Sequence, residues 1–116
     1  MIRIYGLKNC DTCRDALKWL VAEGLCHQFV DVRKDGVDAS EITAWVATLG
    51  WKTLLNRRGS TWRGLSDVDK ENVDEAKAIK LMLEHPALIK RPVFHANGAY
   101  LVGFKDHQKA SLIAGQ

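Results

Sequence analysis

Two cysteines three residues apart, Cys10 and Cys13, are the side chains of this sequence best suited to covalent chemistry. A pair with this spacing on the first turn of a helix is close enough to form a disulfide bond. Unpaired backbone N–H groups and the helix dipole stabilise an anion at a helix start, so a thiol there is acidified below its free pKa of about 8.5. This predicts Cys10 as the attacking nucleophile and Cys13, on the buried face one turn later, as the resolving thiol. A structural cysteine pair, or half of a zinc site, is the alternative interpretation.

A strand and a helix are predicted to meet at Cys10. The segment Ile2–Gly6 alternates β-branched and aromatic residues as a strand does, and Cys13, Ala16 and Leu20 recur on one face of a helix predicted over residues 12–23. Gly24 ends that helix, and residues 27–32 read as a second strand parallel to the first. The result is a βαβ unit, in which we expect Cys26 to be a buried or half-buried thiol.

Residues 34–89 carry helical patterns. A capping box at Asp38–Glu41 begins one helix, which ends at Gly50. The arginine-rich stretch 51–65 reads as a loop with a short helix at residues 53–56. A further helix begins at residues 72–75 and ends before Pro86, and its apolar side is Val73, Ala76, Ile79, Met82 and Leu83.

The chain then returns to strands at residues 92–96 and 99–102, separated by Asn97-Gly98, the strongest short-range indication of a hairpin. A final helix follows at residues 105–114, with Ala110 and Ile113 predicted to face the sheet. This order of elements predicts an α/β protein with a thioredoxin-like fold, a mixed four-stranded sheet with flanking helices and a helical insertion subdomain. We expect a single domain over residues 1–116, with the thioredoxin-like part at about 1–33 and 90–116 and the insertion at about 34–89.

Composition narrows the function classes. A hydrophobic share of 47% with a charged share of 27% is typical of a soluble protein, and no apolar run is long enough to span a membrane. Without a recognisable secretory leader, we expect a cytoplasmic location. The net charge of +3 is too small to indicate nucleic-acid binding and favours a small anionic substrate. No nucleotide-binding motif occurs, and the histidines lack metal-ligand spacing, so neither a metal nor a tightly bound cofactor is expected.

Several residues are candidates for binding an anionic substrate. In a thioredoxin-like frame the Arg91–Pro92 bond is expected to be cis and to lie opposite Cys10, where Arg91 can hold a carboxylate or oxyanion and stabilise the thiolate. Arg57 and Arg58 are the next candidates, although the position of their loop is not fixed by sequence. Lys8 and Asn9 precede the nucleophile, and Lys8 adds positive potential there. Each of these side chains has a solvated, purely structural role as its alternative.

Five segments together carry a family resemblance that covers nearly the whole chain. They are Ile4–Cys13, Leu54–Arg63, Asp74–Ile79, Ile89–Pro92 and Leu101–Phe104. The sequence resembles the ArsC/Spx family, and within it the YffB-like branch of arsenate-reductase-like proteins regarded as glutathione-dependent thiol reductases. The resemblance implies a thioredoxin-like sheet with a helical subdomain, Cys10 as nucleophile and Arg91 in its pocket.

The resemblance also implies the partners. Glutathione is the expected co-substrate, together with a small anionic or disulfide substrate, and the expected activity is that of a glutathione-dependent thiol-disulfide oxidoreductase. Arsenate reduction through a Cys10 adduct is an alternative, but arsenate reductases of the family carry a third arginine where this sequence has Gly103. Many YffB-like proteins lack a second cysteine, whereas Spx-type regulators use a C-x-x-C switch, so a regulator that binds RNA polymerase is a second alternative.

Overall fold

The computed structural model describes residues 1–115 of the 116-residue chain. Its elements follow one another as β1 (Ile2–Gly6), α1 (Asp11–Ala22), β2 (His27–Asp31), α2 (Ala39–Leu49), α3 (Trp51–Leu54), α4 (Ser60–Arg63), α5 (Asp67–Lys70), α6 (Glu75–Glu84), a 3₁₀ helix (Pro86–Leu88), β3 (Val93–Ala96), β4 (Ala99–Val102) and α7 (Asp106–Ala114). Two compact units are formed. The sheet unit comprises Met1–Asp35 and the chain from Arg91 onward, and the helical unit comprises Gly36–Lys90. In the part of the chain that is described, no helix has the length and apolar character needed to cross a bilayer.

The sheet unit contains one four-stranded sheet in the order β2-β1-β3-β4. Strand β1 pairs with β2 in parallel and with β3 in antiparallel orientation, and β3 pairs with β4 as an antiparallel hairpin. The hairpin turn is Asn97-Gly98, with φ angles of 51° and 74°, the left-handed conformation that this dipeptide tolerates best. The predicted α/β fold with a mixed four-stranded sheet and flanking helices is confirmed.

Apolar side chains from the sheet and from two helices form the core of the sheet unit. Its fully buried members are Ile2, Ile4, Ala16, Leu20, Phe94 and Leu112. Leu112 shows that the inward face of α7 was predicted wrongly, because Ala110 is exposed and Ile113 is 50% exposed. The short α7 offers several apolar positions, and only contact with the sheet selects Leu112 among them.

The helical unit is built on α2, which packs against α3 and α6. Its start is the predicted capping box, in which Asp38 accepts from the Glu41 N–H at 2.9 Å and Glu41 accepts from the Asp38 N–H at 3.3 Å. The side chains that this unit buries are Ile42, Trp45, Val46, Leu54, Leu55, Ala78, Leu81, Met82, Leu88 and Ile89. An antiparallel bridge pairs two members of this set, Leu55 and Ile89.

Two predictions for the helical unit are wrong in detail. The stretch 51–65, read mostly as a loop, contains α3 and α4, and the short helix lies at Trp51–Leu54 rather than at residues 53–56. Helix α5 follows this stretch, and each of the three helices is four residues long. Helix α6 is capped by Asp74 and buries Ala78, Leu81 and Met82, while Ala76 is exposed. Helices of one turn have too few residues to display a periodicity, so tertiary contacts rather than sequence pattern define them.

Candidate active site

Cys10 occupies the N-cap position of α1, immediately before the helix begins at Asp11. Its backbone is extended, with φ −99° and ψ 120°, and its N–H donates to the Leu7 carbonyl at 3.2 Å while its carbonyl accepts from the Arg14 N–H at 3.0 Å. These bonds close the loop that leaves β1 and hold the cysteine at the helix start. Its side chain is partly exposed, so a substrate can reach the sulfur.

The surroundings of Cys10 favour its thiolate form. Partial burial by itself raises the pKa of this thiol, but the backbone N–H and the thiol of Cys13, together with the Arg91 guanidinium, form hydrogen bonds with the sulfur and outweigh burial. The positive charge of Arg91 acts in the same direction, and the net result is a lowered pKa. The chemistry that follows is that of a nucleophilic thiolate at a helix N-terminus.

Cys13 has the opposite character. Its side chain is fully buried, as predicted, and burial raises the pKa of its thiol to about 12. The Leu7 N–H opposes this rise, whereas the neighbouring Cys10 adds to it. Cys13 is therefore a neutral hydrogen-bond donor to Cys10 in the reduced protein.

Gly6, the last residue of β1, makes room for Cys13. A Cβ atom at Gly6 would overlap Cys13 Sγ and lie 3.3 Å from Cys13 Cβ. Only glycine lets the buried thiol lie directly against the strand. Sequence reasoning overlooked this residue, because its φ is ordinary and nothing local to it indicates a close approach.

The Arg91–Pro92 peptide bond is cis, as expected. Arg91 is partly buried, and its guanidinium contacts Cys10. Pro92 is buried just before β3, and its carbonyl accepts from the Gly103 N–H at 2.9 Å. The residue that follows β4 therefore anchors the segment that presents Arg91.

Asp31 is a second residue that sequence reasoning overlooked. This carboxylate at the end of β2 is only 8% exposed, and its Oδ1 accepts from the N–H groups of Arg33 and Lys34, both at 2.9 Å. Hydrogen bonds from Lys34, against the opposing effect of burial, and from Arg33 and Lys8 lower its pKa. The Lys8 contact ties the loop before Cys10 to the end of β2, while the side chains of Lys8 and Asn9 are exposed. The sequence feature that could have indicated Asp31 is its position as an acidic residue at the end of a predicted parallel strand.

Comparison with known proteins places this site in a family. The ArsC family profile matches residues 5–111. The chain belongs to the ArsC family.

Individual known proteins also match this chain over most of their length. A solved YffB protein is 43% identical, with a TM-score of 0.92 and coverage of 97% of this chain and 98% of that one. An uncharacterized protein of Haemophilus influenzae is 42% identical over 95% of this chain and 98% of its own length. An arsenate reductase of Neisseria meningitidis is 28% identical over 88% and 89%, and the global transcriptional regulator Spx 2 of Bacillus anthracis is 22% identical over 93% and 83%.

Two other predicted binding residues of this ArsC-family chain belong to the helical unit. Arg57 and Arg58 are exposed residues of the helical unit and line a cavity there, so their action on a substrate of Cys10 stays a prediction. Cys26 is exposed, not buried or half-buried as predicted, because it precedes an edge strand and contributes only its carbonyl, to the Ile2 N–H at 3.0 Å. Among residues 1–115, no group of three or more His, Cys, Asp or Glu side chains is placed to hold a metal ion.

Proposed function

We propose that this ArsC-family chain is a glutathione-dependent thiol-disulfide oxidoreductase in which Cys10 is the nucleophile. The observation that carries the proposal is the position of Cys10 at the start of α1, where the Cys13 N–H and the Arg91 guanidinium lower the pKa of its thiol. A thiolate attacks a disulfide sulfur through a mixed-disulfide intermediate, and an anion-stabilising site increases the thiolate fraction.

The reaction begins with attack of the Cys10 thiolate on the glutathionyl sulfur of a mixed disulfide. An S–S bond forms between Cys10 and glutathione, the original S–S bond breaks, and the substrate leaves as a thiolate that takes a proton from water. We propose that the carboxylates and peptide groups of glutathione are bound by Arg91, Lys8, Asn9 and Pro92. Arg57 and Arg58 are proposed as further contacts, and glutathione is a co-substrate rather than a bound cofactor.

A second glutathione thiolate completes the cycle by attacking the Cys10–glutathione bond. Oxidised glutathione leaves, and Cys10 returns as a thiolate. The buried Cys13 is the alternative resolving thiol, but its pKa of about 12 disfavours deprotonation at neutral pH. This supports resolution by glutathione as the main route, with Cys13 acting as a hydrogen-bond donor.

Turnover of a glutathione mixed disulfide by single variants tests this function. Cys10→Ser should abolish turnover, while Cys13→Ala should retain at least about one tenth of it if glutathione resolves the intermediate. Cys26→Ser is the matched control, because it removes an exposed thiol away from the helix start. Undiminished turnover by Cys10→Ser, or a Cys10 pKa at or above that of a free thiol, would contradict the proposal.

Arsenate reduction is a second candidate, favoured by the guanidinium beside Cys10 and weakened by Gly103. Arsenate reductases of the family carry a third arginine where this chain has Gly103. This glycine has a φ of 95° and no side chain with which to hold an oxyanion. Conversion of arsenate to arsenite takes two electrons, supplied as two glutathione molecules become one disulfide. We expect no arsenate-dependent oxidation of glutathione, and Arg91-dependent oxidation would establish this function instead.

A regulator of the Spx type is the candidate from another class, favoured by the Cys10 and Cys13 thiols being hydrogen-bond partners. Hydrogen peroxide would join the two sulfurs in a disulfide, with reduction of the peroxide to two water molecules, and this bond would alter the start of α1. Pull-down of RNA polymerase with the oxidised and reduced protein tests this function. We expect no retention in either state, and retention in one state alone would establish the regulatory function.

A further inference from the structure

Four basic side chains surround a cavity in the helical unit. The cavity has a volume of about 320 Å³ and is lined by Lys52, Leu55, Arg57, Arg58 and Lys90. This size lies at the lower end of the range for small-molecule sites in proteins. Leu55 supplies a buried apolar floor, and all four cationic side chains are exposed to solvent.

Backbone hydrogen bonds bring these residues together from distant parts of the sequence. The Asn56 N–H donates to the Leu88 carbonyl at 2.7 Å, and the Lys90 N–H donates to the Leu54 carbonyl at 2.8 Å. The two bonds flank the bridge between Leu55 and Ile89. The arginine loop and Lys90 are therefore held side by side by the fold of the unit rather than by chance contact of flexible side chains.

The arginine loop has its own supports. Asn56 Oδ1 accepts from the Arg58 N–H at 3.0 Å, and Arg63 Nη1 donates to the Arg58 carbonyl at 2.7 Å. The Trp51 ring has Lys52 Nζ 5.7 Å from its centroid and Arg57 Cζ 5.9 Å from it, within the range of cation–π attraction. These contacts order the loop and hold the cationic groups of Lys52 and Arg57 near the Trp51 ring.

Apart from Leu55, every residue that lines the cavity is cationic. No acidic residue lines it, and neither of the two ion pairs found within residues 1–115, Arg14–Asp11 and Lys80–Glu84, includes a lining residue. Four like charges around one small volume repel one another, and an anion placed among them removes that repulsion.

We infer that this cavity binds a compact polyanion bearing two linked phosphoryl groups, of which inorganic pyrophosphate is the simplest example. Arginine binds phosphate oxygens through two parallel hydrogen bonds, and lysine adds point charge, so the mixed lining suits such a ligand. Glutathione fits less well, because its ammonium group would find no acidic partner and its net charge is only about −1 at neutral pH. This inference does not rest on the proposed function; if Arg57 and Arg58 also contact glutathione, as proposed above, the two ligands compete for them.

Titration of the full chain with pyrophosphate, followed by NMR at constant ionic strength, tests the inference. The indole N–H of Trp51 and the amides of Arg57 and Arg58 should shift and saturate, with at least tenfold weaker binding for inorganic phosphate. Arg57→Gln with Arg58→Gln should weaken binding at least tenfold, and the pair Lys52→Gln and Lys90→Gln should do the same as an independent variant. Lys80→Gln removes one exposed charge of the same unit outside the cavity and should bind like the unaltered chain.

Three results would overturn the inference. If the NMR shifts do not saturate and sodium chloride reproduces them, the cavity is a region of general positive potential and not a pyrophosphate site. Equal affinity for phosphate and pyrophosphate would remove the requirement for two phosphoryl groups. If reduced glutathione shifts the Trp51 indole N–H resonance as much as pyrophosphate does, the cavity belongs to the thiol chemistry instead. Turnover at Cys10 is measured separately, and its loss would leave the pyrophosphate result unchanged.

Discussion

Replacement of Gly6 by alanine should destabilise the protein through one specific contact. The new Cβ would overlap the sulfur of Cys13, lie 3.3 Å from Cys13 Cβ and lie 3.6 Å from a ring carbon of Phe29. The last distance is an ordinary contact, so the collision with the Cys13 side chain is the dominant effect. Cys13 is fully buried and cannot swing into solvent.

The size of the destabilisation by Gly6→Ala follows from the crowding at Cys13. Additional atoms forced into a packed core destabilise by about 1 to 3 kcal/mol, and we expect Gly6→Ala to fall near 2 kcal/mol. In a Cys13→Ala background the overlapping sulfur is absent and the cost of Gly6→Ala should fall to about 0.5 kcal/mol or less, because alanine also restricts the unfolded chain. The coupling between the two substitutions is then roughly 1.5 kcal/mol, within the range seen for residues in contact.

Chemical denaturation of the four proteins of this double-mutant cycle measures the coupling. For a chain of this size, 2 kcal/mol corresponds to a fall of roughly 8 °C in Tm, which thermal unfolding resolves independently. Gly6→Ala should also raise the pKa of Cys10, because a displaced Cys13 loses its hydrogen bond to that sulfur. A coupling below about 0.3 kcal/mol, which is the scatter expected of independent sites, would refute the idea that Gly6 is required to accommodate the Cys13 sulfur.

Three further predictions concern the charges around the site. Arg91→Gln should raise the pKa of Cys10, because the guanidinium no longer stabilises the thiolate, and should slow alkylation of Cys10 at neutral pH by about tenfold, measured by mass spectrometry and ultraviolet thiolate absorbance. At about pH 8 an alkylating reagent should modify Cys10 and Cys26 in the folded protein but reach Cys13 only after denaturation; labelling of folded Cys13 at a comparable rate would contradict its burial and raised pKa. Because the pKa of Asp31 lies below its usual value of 3.8 in the folded state, its charge stabilises the fold above about pH 4, and this stabilisation is lost as pH falls through the folded-state pKa. Asp31→Asn should therefore lower stability by about 1 kcal/mol at neutral pH, with the difference from the unaltered protein shrinking in acid; a difference independent of pH would count against this role.

Local sequence patterns predicted the elements that carry strong local energies. The capping box at Asp38, the Asn97-Gly98 hairpin and the start of α1 at Cys10 all depend on residues within four positions of one another. Such interactions are present whatever the rest of the chain does, so they can be read before the fold is known. The family resemblance, carried by motifs along the whole chain, is confirmed by the match of the ArsC family profile to residues 5–111.

Features that join distant residues were not predictable in this way. The burial of Leu112 instead of Ile113, the one-turn helices α4 and α5, and the exposure of Cys26 were all missed. The cavity that brings Lys90 beside Arg57 depends on a backbone bridge that no local pattern announces.

The sequence by itself determined that a thiol lies where a strand ends and a helix begins, since the helix dipole and the amphipathic period are local properties. Only the tertiary structure decided that the two thiols differ so strongly, with Cys10 acidified by Arg91 and Cys13 sealed against Gly6 with a pKa of about 12. The physical reason is that burial and charge proximity depend on which distant segments pack together, and those contacts exist only once the sheet has formed.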